Sequence, residues 1–89
     1  MKPLELKIKK VFLKQIISGE KKEEFRALSP FNVSRLFVTE DIERGEKLIT
    51  AAKDIKEIKF VAGYSKNPDY AVVKVEKIMV VKHFLDIWV

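Results

Sequence analysis

The sequence predicts a small α+β domain of about five or six mixed strands with one to three short helices, curled into a compact β-barrel. Three observations carry that expectation. Apolar and polar residues alternate with period two in several separate segments, the signature of half-buried strands. A four-residue apolar spacing interrupts that alternation only over short stretches, too short for more than minor helices. The strand segments lie far apart along the chain, which favours mixed pairing in a curled sheet. The 89 residues suffice for one core, so residues 1–89 are read as a single domain.

Leu4-Glu5-Leu6-Lys7-Ile8-Lys9 alternates strictly, a strand with Leu4, Leu6 and Ile8 inward. Phe12 with Ile16, and Leu13 with Ile17, then recur four residues apart. Lys10 to Ser18 therefore reads as a short helix, with Gly19 as its left-handed cap. A second strand runs from Lys22 to Leu28. Phe25 and Ala27 are expected on its inward face, and Glu24 and Arg26 on the face that lines a solvent-accessible cleft. Ser29-Pro30 ends that strand and opens a helix to about Leu36, with Ser29 as the cap.

Thr39 followed by Glu40, Asp41 and Glu43 reads as a helix start, and residues 46–53 as a helix or a loop. Gly45 weakens the helical reading by about 1 kcal/mol relative to Ala. Ile58, Phe60 and Ala62 mark another strand. Gly63 to Asp69 is a loop rich in turn residues. Tyr70 to Lys77 is a strand with Ala71, Val73 and Val75 on one face. Ile78 to Val89 continues as one bent strand or two short ones.

Composition narrows the function. The chain has 18 Lys plus Arg against 13 Asp plus Glu, a net charge of +5. That excess favours polyanionic partners such as RNA or a nucleotide. With no Cys and one His, neither a thiolate zinc site nor a multi-histidine metal site can form, and no metal or other cofactor is expected. The apolar runs fall short of the roughly 20 residues of a membrane span, and the N-terminus lacks a signal-peptide apolar stretch. A soluble cytoplasmic protein with no membrane partner is expected.

The densest polar cluster is Ser18-Gly19-Glu20-Lys21-Lys22-Glu23-Glu24-Phe25-Arg26. Here a helix ends and a strand begins, a reversal that sets side chains at the mouth of a sheet. Glu24 and Arg26 leave one strand face about 7 Å apart, close enough to hold each other's rotamers. Read as a plain charged turn, the pair contributes only about 0–1 kcal/mol. Lys9, Lys10, Lys21 and Lys22 flank the helix as a basic rim or as a solvated face.

The spacing Gly-x-Lys-x-x-Glu-x-Arg, at Gly19, Lys21, Glu24 and Arg26, resembles the signature of the ASCH domain family, which is related to the PUA domain. Further segments are similar to its small phage and bacterial members. These are Leu6-Lys7-Ile8-Lys9-Lys10 with its helix, residues 29–37 (Ser-Pro-Phe-Asn-Val-Ser-Arg-Leu-Phe), Phe60 to Tyr64, and the valine-rich strand that follows. Residues 38–55 fall outside the resemblance and read as an insertion. The resemblance implies a PUA-like barrel with helices at its openings and a cleft for RNA or a nucleotide. Lys21, Glu24, Arg26, Arg35 and Tyr64 would line that cleft, with Lys10 and Lys22 on its rim.

Some family members are amidohydrolases that release the acyl group from N4-acetylcytidine through a Lys, a Thr three residues later and a Glu on a later strand. Lys21 and Glu76 match two of these, but Glu24 stands where the Thr would be. A carboxylate beside Lys21 stabilises the ammonium and leaves a poorer base, and it supplies no hydroxyl nucleophile. Non-enzymatic binding is therefore the favoured expectation, with a hydrolase using Lys21, Glu24 and Glu76 as the alternative. A protein-interaction role through the acidic stretch 39–46 is a third reading. His83 is expected to be structural, and Trp88 a core or interface residue rather than a base platform.

Overall fold

The computed structural model describes residues 3–63 and 66–89. Its elements follow the chain as β1 (Leu4–Ile8), α1 (Lys10–Ser18), β2 (Glu23–Ala27), α2 (Pro30–Leu36) and β3 (Phe37–Asp41). A short 3-10 turn at Glu43–Gly45 leads to β4 (Lys47–Ala52), β5 (Glu57–Ala62), β6 (Tyr70–Lys74), β7 (Lys77–Val81) and β8 (Phe84–Trp88). The fold is α+β.

The strands form two three-stranded sheets, ordered β1-β5-β6 and β2-β8-β7, and a two-stranded ribbon, β3-β4. β1 runs parallel to β5, and the other pairs are antiparallel. The expected closed barrel is not formed by strand pairing among the described residues: the sheets are open. What joins β2 to β1 is a side chain, Arg26, whose guanidinium donates to the Lys7 carbonyl.

Both helices begin and end as their end residues dictate. Gly19 caps α1 at φ 86°, a conformation that costs a glycine little, and its N–H donates to the Ile16 carbonyl at 3.2 Å. Ser29 caps α2, its hydroxyl accepting from the Asn32 N–H at 3.2 Å, with Pro30 at the first helical position. Leu13 and Ile16 of α1 and Leu36 of α2 enter one core with Leu6, Ile8, Ile58, Phe60, Leu85 and Ile87. That core lies between the two sheets, so the inward faces expected of β1, β5 and β6 are as observed, Ala71, Val73 and Val75 packing at its margin.

Two expectations are corrected. Residues 47–52 are a strand, not a helix or loop, and Thr39 lies within β3 rather than starting a helix. Arg44 (φ 63°) and Gly45 (φ 74°) both take left-handed backbone and reverse the chain, which brings Lys47 back opposite Asp41. The β-branched Ile49 and Thr50 suit the ladder that results. The C-terminal segment takes the second of its two expected forms, two short strands, here paired as a hairpin: Val81 pairs with Phe84 across a two-residue turn in which Lys82 has φ 55°. His83 sits exposed in that turn and not in the core. Second, β2 faces the other way round. Glu24 is only 6% exposed, whereas Phe25 is 50% exposed and Ala27 is also at the surface. The register explains this, since Glu24 lies opposite Ile87 and Arg26 opposite Leu85, and both partners are fully buried. Directly opposed residues of an antiparallel pair share a face, so the polar pair follows them inward.

Among the described residues, no helix is long and apolar enough to cross a membrane.

Candidate functional site

The chain reversal between α1 and β2 builds the site. The Lys21 N–H donates to the Gln15 carbonyl at 3.0 Å, which ties the turn back onto the helix. β2 then enters the sheet beside β8 and carries Glu24 inward. Glu24 accepts from Arg26 at 3.0 Å on one carboxylate oxygen and pairs with Lys21 at 3.5 Å on the other. A buried carboxylate needs such partners, because unpaired burial costs several kcal/mol, on the order of 3–5. Arg26 is held a second time by the Lys7 carbonyl, and its guanidinium carbon lies 6.0 Å from the centre of the Phe60 ring. Its Nε is buried with no hydrogen-bond partner.

Beside this pair opens a cleft of about 680 Å³, lined by the end of β1, the start of α1, β2, Asn32, Ala62 and Gly63. Glu24, Arg26 and Lys10 line it, as do Lys7, Lys9 and Phe12. Lys10 reaches Asp69 at 3.3 Å, an exposed pair of small worth. The Phe12 ring has the Lys21 ammonium 5.2 Å from its centre and the Lys9 ammonium 6.0 Å away. The cleft thus sets several cations and two aromatic rings, Phe12 and Phe25, around a single carboxylate that already has two cationic partners.

The expected residues divide. Lys21, Glu24 and Arg26 come together in one ion-paired group; Glu24, Arg26 and Lys10 line the cleft, whereas Lys21 stands behind Glu24 and does not. Lys22 is exposed, with its ammonium close to Gly19, and does not line the cleft. Arg35 points away: its guanidinium donates to the Glu5 carbonyl at 2.8 Å and covers the Phe31 ring, and it lines a separate hollow with Lys53 and Ile55. Its place in the last turn of α2 sets it against the backbone of β1 and not at the mouth near Gly63. Tyr64 lies outside the described residues.

Glu76 joins β6 to β7, and its N–H donates to the Trp88 carbonyl. The Val89 N–H donates to the Lys22 carbonyl, so Glu76 and Lys22 flank β8 from opposite sides, about 10 Å apart at two strand spacings. Glu76 lines a different hollow, with Lys53 and Lys77. Lys7, Phe12 and Asn32 were not singled out in the sequence as site residues. Alternation places Lys7 outward, but nothing local to Phe12 or Asn32 tells that α1 and α2 present them to the same opening.

No family model, no curated protein and no solved structure matches this chain.

Proposed function

We propose that the protein is a PUA-like module that binds single-stranded RNA or a nucleotide in the cleft between β2 and the start of α1. The observation that carries this reading is the inward, ion-paired placement of Glu24 and Arg26 on the cleft wall. A hydrophobic pair at those two positions would satisfy the fold as well or better. Charged side chains there hold a guanidinium rigid beside an opening that Lys7, Lys9 and Lys10 make electropositive. Phosphates would meet the lysines, a base would stack on Phe12, and its polar edge or the ribose would meet Glu24 and Arg26. The resemblance of the Gly19-to-Arg26 spacing to ASCH domains and the net charge of +5 support the same ligand class.

Binding of short single-stranded RNAs and of free nucleotides, followed by thermal shift and by fluorescence titration, tests the proposal. With about three phosphate contacts, log K falls against log salt with a slope of roughly −2. A bound ligand raises the melting temperature. Affinity that ignores salt, or no binding, sinks it. The hydrolase alternative is tested by incubation with N4-acetylcytidine. The pairing of Lys21 with Glu24 at 3.5 Å argues against a free amine base, so cytidine release is expected to be absent. Turnover lost in Lys21→Ala would replace the binding reading.

A further inference from the structure

The outer face of the β2-β8-β7 sheet carries a second constellation, which meets the cleft only along β2, where Phe25 and Ala27 line both. Phe25, Asp86 and Met79 form one row across the three strands, and Ala27, Phe84 and Val81 the next. Phe25 and Phe84 are about half exposed, and Met79 is also at the surface. Beneath them Asp86 is only 3% exposed, and its Oδ1 has no hydrogen-bond partner. Two residues along the same strand face, the Trp88 indole N–H is likewise buried and unpartnered. A carboxylate left this way is unfavourable for the isolated fold. Surrounded by exposed aromatic rings and a thioether, it has the form of an interaction site awaiting a donor.

The chemistry selects the occupant. The unpaired group is an acceptor with negative charge, so its partner is a cation, and a phosphate backbone is repelled. The rings favour a cation that also stacks, which is a property of the guanidinium group. Two half-exposed Phe side chains and Met79 offer roughly 300 Å² of apolar surface, well below the approximately 800 Å² per partner of a stable dimer. A two-fold contact between copies would also bring two of these acidic faces together. A sheet face is flat, whereas small ligands take concave sites.

We propose that this face docks a protein segment in which an arginine is flanked by apolar side chains. The guanidinium reaches Asp86, and the flanking residues cover Phe25, Met79 and Phe84. Asp86, Met79 and Phe84 lie outside the cleft, and Phe25 borders both surfaces.

The single Trp makes the test clean. The Trp88 indole N–H resonance of the intact protein is followed during titration with the peptide acetyl-Leu-Arg-Leu-amide and with its citrulline counterpart, which keeps the shape and loses the charge. The arginine peptide is expected to shift that resonance saturably, and the citrulline peptide to bind about tenfold more weakly. The same loss is expected with Asp86→Asn. Because the peptide comparison needs only the unaltered protein, a misfolded variant leaves the test intact. Equal affinity for the two peptides, or a resonance that stays still, overturns the proposal. So does a resonance that moves on dilution of the protein alone, as self-association would require.

Discussion

The inward positions of β5 hold Ile58, Phe60 and Ala62, and Phe60 is completely buried. The inward positions of β2 hold Glu24 and Arg26, while its one large apolar side chain, Phe25, is half exposed. The two strands have similar length and similar alternation and face the same core. Their difference separates two tasks. β5 supplies cohesion, because each inward side chain removes hydrocarbon from water. β2 spends its inward positions on an ion pair that does little for stability, and thereby lines the cleft with a rigid guanidinium.

The contrast can be broken at its strong end first. Phe60→Ala removes a fully buried ring at the centre of the core and is expected to cost about 3–5 kcal/mol, read as a lowered urea midpoint. In a domain of this size that approaches the whole stability. Glu24→Ala is expected to cost about 2 kcal/mol. It strands Arg26 and Lys21, but their side chains are each about one-fifth exposed, so water relieves part of the usual penalty. The double variant Glu24→Leu with Arg26→Met sharpens the point. It is expected to be no less stable than the unaltered protein and to lose ligand binding; a large loss of stability would make the pair structural.

Phe25→Ala is expected to cost about 1 kcal/mol, since half of the ring is already in water. Lys10→Ala is expected to change stability by less than about 0.5 kcal/mol, its ion pair with Asp69 being exposed on both sides. If Phe25→Ala proved as damaging as Phe60→Ala, β2 would be a core strand like β5 and the contrast would fail.

The same two strands show what the sequence discloses. Alternation in residues 57–62 marks a strand and its core face together, because Ile58, Phe60 and Ala62 share that face, Val61 being the one apolar residue of the opposite face. In residues 23–27 alternation marks the strand, but parity alone leaves two faces, and assigning the apolar one inward reverses the structure. The deciding information is the register with β8, a partner about 60 residues away, as the pairing of Glu24 with Ile87 shows. The two observed helices, α1 and α2, are legible in the sequence, because Ser29, Pro30 and Gly19 act through local backbone chemistry. β4 was not, because its reversal uses a left-handed Arg44, a residue type that carries no turn signal. The Lys21, Glu24 and Arg26 group was visible as a local cluster. Phe12, Asn32 and the true direction of Arg35 depend on how helices dock, which no local spacing encodes.

The central claim is that the Glu24–Arg26 pair forms a specific pocket and is more than part of a basic surface. RNA affinity of Arg26→Ala and of Lys10→Ala, measured across salt concentrations up to about 1 M, where the screening length falls to 3 Å, tests it most directly. Lys10→Ala should lower the salt slope by about one phosphate contact and converge with the unaltered protein at high salt. Arg26→Ala should stay weaker at every salt concentration, because it removes a fixed hydrogen-bonding group that salt does not screen. If the two variants instead follow the same curve and converge together, the cleft holds no specific pocket and the net positive charge accounts for all the binding.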